Sequence, residues 1–209
     1  YDNDGNLTSI TSPATDDFPA GKTTTYTYSS GQANEALNHN LLSIIDPRGQ
    51  EYLVNSYDAN DRVVSQAFGG GTTTWVYDDP NLKRTVADGN GNVTEITFNS
   101  NGNPIREKRF TRGVRPVEPP FYETINEYDD NLELTKTILP RGNVIKYTYS
   151  TDGFGNLLRE LRKPTDATPD EDPGNIAVSY TYEPIYNQTR IVTDPRGYVT
   201  TNTFDYQEG

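Results

Sequence analysis

Two stretches place oxygen-bearing side chains at alternate positions, Asp2-x-Asp4-x-Asn6 and Asp88-x-Asn90-x-Asn92. Calcium loops begin this way, with carboxylate and amide oxygens converging on a hard cation. Such a loop also needs Gly at its sixth position and Glu at its twelfth. The sixth positions here are Leu7 and Val93, and neither stretch supplies the Glu. Turn formation accounts for both without a metal, because Asp and Asn side chains bond their own backbone two residues on. No cofactor is expected, and calcium at these turns is the alternative. A further acidic stretch, Asp166, Asp170, Glu171 and Asp172 between Pro164 and Pro173, reads as a mobile surface loop with weak affinity for cations.

Other chemistry finds few residues to work with. A Ser-His-Asp triad needs a histidine base, and the chain has one His, His39, in a polar stretch that reads as a solvated loop. The absence of Cys excludes disulfides, thiolate metal sites and a Cys nucleophile. Gly69-Gly70-Gly71 joins two strand-like segments, whereas a phosphate cradle needs a strand followed by a helix. No catalytic residue is expected, and the chain reads as a non-enzyme. Thirty acidic against 18 basic residues give a net charge of −12, which repels nucleic acids and anionic membranes. Arg106, Lys108, Arg109, Arg112 and Arg115 form a basic cluster. It reads as a solvated face beside an insertion, or else as an anion or partner contact. No apolar run approaches the length that crosses a bilayer, so direct membrane insertion is not expected.

Sugar binding stacks a ring on an exposed aromatic, and the chain has 15 Tyr, 7 Phe and 1 Trp. Most of them are periodic. Taking the aromatic before each turn as an anchor gives Tyr1, Tyr28, Tyr57, Tyr77, Phe98, Tyr128, Tyr149, Tyr182 and Phe204. The shortest intervals are 20 to 22 residues and the longer ones carry insertions. One such unit holds two strands and two tight turns, a β-hairpin. Strands entering the anchors alternate with period two, as in Thr72-Thr73-Thr74-Trp75-Val76-Tyr77, so Trp75 shares its anchor's face and Val76 takes the other. The anchors and Trp75 are therefore assigned to the buried face. Asn55, Asn126 and Asn202 stand where an aromatic is expected, which weakens those copies. Off-phase aromatics remain as glycan-contact candidates: Phe121, Tyr122 and Tyr186, with Phe154 and Tyr198 behind them.

Two turn sequences recur. One follows the anchor, as in Tyr1-Asp2-Asn3-Asp4-Gly5-Asn6. The other closes alternate return strands: Asp46-Pro47-Arg48-Gly49, Asp88-Gly89-Asn90-Gly91, Leu139-Pro140-Arg141-Gly142 and Asp194-Pro195-Arg196-Gly197. Pro presets the first corner of a turn, Asp bonds the backbone ahead, and Gly takes the positive φ. The expected fold is all-β, with repeated antiparallel β-hairpins forming a curved or spiralling sheet. A single array over 1–209 is expected, with insertions at about 13–21, 29–40, 111–121 and 164–175. Apolar content of 32% is lean beside the roughly 45–50% usual for globular domains, which suits a sheet buried on one face. A start in mid-repeat and the absence of Met read as a fragment cut through hairpins at both ends.

The aromatic-Asp-x-x-Gly-Asn unit, linked by Asp-Pro-x-Gly turns, resembles the YD repeats of bacterial RHS-repeat proteins, toxin-complex cocoon components and teneurins. The resemblance implies a β-ribbon wound into a hollow shell or stalk, extracellular or on the cell surface of a bacterium. Such a shell encloses a toxic polypeptide or displays an adhesion module. Its partner is the rest of its own polypeptide, with glycans or another surface protein as alternatives. The family's self-cleaving region carries Asp-Pro-x-Gly-Leu. Here Asp194-Pro195-Arg196-Gly197 is followed by Tyr198 and Asp46-Pro47-Arg48-Gly49 by Gln50, so self-cleavage is not carried over. The expected role is non-catalytic and structural; the alternative is a carbohydrate- or protein-binding adhesion module.

Overall fold

Thr, Tyr, Val and Ile dominate the segments entering each anchor, and such side chains fit a pleated, half-buried surface. In the computed structural model, which describes residues 1–206, these segments are strands and the chain is all-β. Two single-turn 3-10 helices, Glu35–Leu37 and Asp79–Asn81, are the helical elements among the described residues.

The chain divides into two compact units. The first, Tyr1–Glu95 with Arg109–Glu118, contains β1 (Ser9–Thr11), β2 (Thr23–Tyr28), β3 (Leu41–Ile45), β4 (Glu51–Tyr57), β5 (Val63–Phe68), β6 (Gly71–Asp78) and β7 (Lys83–Ala87). Each strand pairs antiparallel with the next in sequence. Strands β8 (Val93–Phe98) and β9 (Pro104–Phe110) fall across the division. The second unit, Ile96–Lys108 with Pro119–Gly209, contains β10 (Phe121–Tyr128), β11 (Leu134–Ile138), β12 (Val144–Tyr149), β13 (Leu157–Lys163), β14 (Ile176–Tyr182), β15 (Thr189–Thr193) and β16 (Val199–Thr201). The same antiparallel neighbour pairing runs through it.

Every connection within a unit is a hairpin, and the tightest shows why glycine is needed. Gly69 and Gly70 join β5 to β6 with φ of 58° and 84°, the left-handed pair of a type I′ turn.

Burial departs from the one-faced core drawn from the repeat. Tyr28, Tyr57, Tyr77, Phe98, Tyr128, Tyr149, Tyr182, Phe204 and Trp75 are all half-buried rather than enclosed. Within each unit the paired strands lie side by side as one layer. A ring there packs along its neighbours, and what covers Tyr77 is a charged side chain, the Arg62 guanidinium 4.2 Å from the ring centre. Val144 and Leu161 are the buried hydrophobic residues among those described. Both lie on the face opposite Tyr147, where register also places Lys146 and Lys163.

Candidate functional site

The recurring chemistry of the molecule is at its corners. At Asp2, Asp46, Asp58, Asp88, Asn99, Asp129 and Asp194 one side-chain oxygen accepts the backbone N–H groups of the residues two and four positions on. At Asp58, for example, the distances are 2.9 Å to Asn60 N and 3.0 Å to Arg62 N. The backbone closes each corner with a second pair of bonds, such as Asp58 N to Arg62 O at 2.9 Å and Asp61 N to Asp58 O at 3.2 Å. Leu139 makes those backbone bonds without a side-chain acceptor. The fourth residue is left-handed every time: Gly5, Gly49, Gly91, Gly102, Gly142 and Gly197, but Asp61 and Leu132 in two copies. The two turn sequences are therefore one physical corner. Its Asp accepts the orphan N–H groups, whether or not Pro follows.

This also places the oxygens that resemble calcium ligands. Asp2 holds the Asp4 and Asn6 amides with one oxygen and Asn6 Nδ2, at 2.8 Å, with the other. Asp88 repeats the arrangement with Asn92 Nδ2 at 2.7 Å. The Asn amides, followed by the backbone amides, lower both carboxyl pKa values.

Beyond the corner, the return strands β3, β5, β11, β13 and β15 each carry an extra residue, whereas β7 pairs with β6 without one. Register shifts at Thr27/Tyr28, Ser56/Tyr57, Glu127/Tyr128, Thr148/Tyr149 and Thr181/Tyr182, so two return-strand residues oppose one. A bulge takes backbone groups out of the ladder, and a buried carbonyl without a partner is costly. The next anchor supplies the donor. Tyr57 donates its hydroxyl to Leu41 O at 3.0 Å, Tyr77 to Val63 O at 2.9 Å, Tyr149 to Leu134 O at 3.0 Å and Tyr182 to Leu157 O at 3.0 Å. In each case the acceptor is the bulge residue facing the previous anchor. Tyr128 likewise caps Pro104 O at 3.2 Å.

Asn55, Asn126 and Asn202 are corrected by this network. Asn55 Nδ2 donates to Leu41 O at 3.0 Å, Asn126 Nδ2 to Pro104 O at 3.0 Å and Asn202 Nδ2 to Thr189 O at 2.9 Å. Asn55 and Asn126 are second donors to carbonyls that a Tyr hydroxyl also caps. At Phe204, an anchor with no hydroxyl, Asn202 makes the cap. Three amides in one phase of an aromatic column were the available signal.

Glu183 takes the place of the corner Asp after Tyr182 and escaped sequence reasoning. It is 2% exposed and accepts Ile185 N, Tyr186 N, Gln188 N and the Tyr206 hydroxyl at 2.7–3.0 Å. Burial pushes its carboxyl up, but the Gln188 and Ile185 amides, the Tyr206 hydroxyl and the Tyr186 amide outweigh it and hold the pKa at about 2. The Pro-bounded acidic loop is likewise corrected from a mobile segment to a strap. Asp170 lies between Lys146 Nζ at 2.6 Å and Lys163 Nζ at 2.7 Å, and Asp166 meets Lys136 Nζ at 3.2 Å. The Lys146 and Lys163 hydrogen bonds hold the Asp170 carboxyl at about 2. The cations that this loop attracts are the protein's own.

The remaining candidates are dispersed. His39 is exposed, with Nδ1 2.9 Å from Asn6 Oδ1. Phe121 and Tyr122 open β10, where Lys108 Nζ lies 4.5 Å from the Phe121 ring centre and Tyr122 is exposed. Tyr186 lies in the turn between β14 and β15, stacked on Tyr206 at 5.9 Å. Phe154 and Tyr198 stand exposed on other turns. In the basic cluster Arg106 and Lys108 face Glu123 at 3.5 and 3.8 Å. Pro47, Gly49, Pro195 and Gly197 occupy corners with Asp46 and Asp194. No described helix is long and apolar enough to cross a membrane, and no described group of three acidic, His or Cys side chains gathers as metal ligands.

Against solved structures, the pore structure of the Photorhabdus luminescens Tc holotoxin, carrying a TccC3 mutation, superposes on 98% of this chain with a TM-score of 0.69 at 15% identity. This chain has the fold of a stretch of that toxin. It spans 11% of the matched chain's length, and at that identity the likeness speaks for the fold alone. The structure of TcdB2–TccC3 without its hypervariable C-terminal region aligns over 98% of this chain and 13% of its own. Its identity is 13% and its TM-score, 0.45, is too low to carry an argument. No family model matches the chain, and no curated protein matches its sequence.

Proposed function

We propose that the chain is a non-catalytic length of wall in a large, secreted or cell-surface YD-repeat protein of bacterial origin, part of a shell or stalk that encloses or displays a toxic or adhesive module. The observation that carries this reading is the run of bulge caps, in which Tyr57, Tyr77, Tyr149 and Tyr182 each tie their own hairpin to a carbonyl of the preceding return strand. A joint repeated from hairpin to hairpin along the chain extends a surface, and it converges on no reacting centre. The likeness in fold to a Tc holotoxin chain supports the same reading. The partner is then the rest of the same polypeptide, which continues the strand pairing. Electron microscopy of the full-length protein tests it. A hollow particle or continuous stalk with this stretch in its wall is the expected result; an isolated globular domain on a flexible tether would overturn it.

A further inference from the structure

The insertion at 111–121 carries one of the chain's four Arg-Gly bonds, Arg112–Gly113, the others being Arg48–Gly49, Arg141–Gly142 and Arg196–Gly197. All four arginines are exposed and all four glycines are left-handed. What differs is the nitrogen of the bond. At the corners Gly49 N donates to Asp46 O at 2.9 Å, Gly142 N to Leu139 O at 2.8 Å and Gly197 N to Asp194 O at 2.9 Å. The corner carboxylates hold Arg48 N and Arg196 N as well. Gly113 N has no acceptor among the described residues. From Arg112 to Glu118 the backbone bond seen there is Glu118 N to Arg115 O, at 3.1 Å.

Side chains do little to hold this loop. Val114 and Val117 are 80% and 94% exposed. The Arg112 guanidinium passes beside Gly91 and forms no ion pair among the described residues. The strands on either side are well tied. Strand β9 ends at Phe110 and β10 begins at Phe121, so a break within the loop severs neither. In the second unit Glu123 of β10 faces Arg106 and Lys108 of β9 at 3.5 and 3.8 Å. Asn126 and Tyr128 donate to Pro104 O at 3.0 and 3.2 Å. Each of these contacts joins residues from opposite sides of the Arg112–Gly113 bond.

We propose that Arg112–Gly113 is a processing site for a trypsin-like serine protease, one with a carboxylate in its primary specificity pocket. Such an enzyme takes its substrate as an extended strand and seats the arginine on that carboxylate. An Arg-Gly bond whose nitrogen is tied inside a tight turn is drawn out only by breaking the turn, whereas the loop yields without that loss. Arg115, in the same loop, is followed by Pro116, whose ring takes the place of the amide N–H and blocks the same attack. Hydrolysis consumes one water: the Arg112 C–Gly113 N bond breaks, Arg112 gains a carboxylate and Gly113 an ammonium group. The product is two chains that stay joined through β9 and β10. The wall reading and this site fail separately, because Arg112 and Gly113 take no part in the bulge caps.

Brief trypsin treatment of the whole chain, followed by intact-mass measurement and native size-exclusion chromatography, tests the proposal. Fragments 1–112 and 113–209 should appear first. They should form at least about tenfold faster than any product of a cut at Arg48, Arg141 or Arg196, and co-elute until denaturant separates them. Arg112→Gln should abolish this pair of fragments and Arg112→Lys should keep it, because the specificity pocket accepts either cation. Neither substitution removes a hydrogen bond seen among the described residues, so both variants should fold. A first cut at any of the three corners, cleavage of the loop at an undiminished rate in Arg112→Gln, or fragments that elute apart under native conditions would each overturn the proposal.

Discussion

At the scale of single residues, the anchor is defined by its hydroxyl as much as by its ring. Removing a hydroxyl that satisfies a half-buried carbonyl costs about 1 kcal/mol. Tyr77, Tyr149 and Tyr182 are each the one side-chain donor seen at their carbonyl, whereas Leu41 O and Pro104 O receive an Asn amide as well. Tyr77→Phe, Tyr149→Phe and Tyr182→Phe should therefore each lower stability by about 1 kcal/mol in urea unfolding, with Tyr57→Phe and Tyr128→Phe losing clearly less. Equal losses at all five would mean the hydroxyls act through something other than the cap. The corner's fourth position makes a second case. Leu132 holds φ of 67° while half-exposed, and a left-handed conformation costs a residue with a Cβ about 1–2 kcal/mol. Leu132→Gly should raise the melting temperature, and Asp61→Gly should raise it less, because Asp tolerates that region better.

At the scale of the element, one corner departs from its siblings for a reason that its own residues do not contain. Gly89 stands where Pro47, Pro140 and Pro195 stand elsewhere. A Cβ on Gly89 would lie 2.9 Å from the Gly71 Cα, where two backbones pass in contact. Gly89→Pro restores the repeated tetrapeptide and, by repeat logic, should rigidify the turn. The contact dictates the opposite, a loss of about 1–3 kcal/mol in thermal or urea unfolding. A stabilised Gly89→Pro would show that the two backbones part at little cost. The strap is the second element that neighbours decide. Its acidic residues read as mobile until Lys136, Lys146 and Lys163 are seen on three successive strands beneath it.

At the scale of the whole molecule, stability should track its depressed carboxyls. Glu183 and Asp170 have folded pKa values of about 2, against 4.5 and 3.8 for the free groups. A depressed folded value contributes stability above the unfolded value and loses it as pH falls through the folded one. Thermal melts should therefore decline from about pH 4.5 down to about pH 2. Glu183→Gln should be less stable at pH 7 and should flatten that decline; an unchanged acid profile would place the sensitivity elsewhere.

The sequence by itself determined the hairpins and their corners. Each corner is closed by bonds between residues two to four apart, such as Asp58 with Asn60 and Arg62, so spacing alone encodes it. Period-two alternation likewise settled the strands. Only the tertiary structure decided the roles of Asn55, Asn126 and Asn202, the need for Gly89 and the seat of the acidic strap. Each depends on partners between 7 and 30 positions away along the chain, as in Lys163 with Asp170 and Lys136 with Asp166. Period and propensity report what a residue does within its own turn or strand. Which carbonyl a bulge leaves open, and which side chain reaches it, exists only once neighbouring strands are in register.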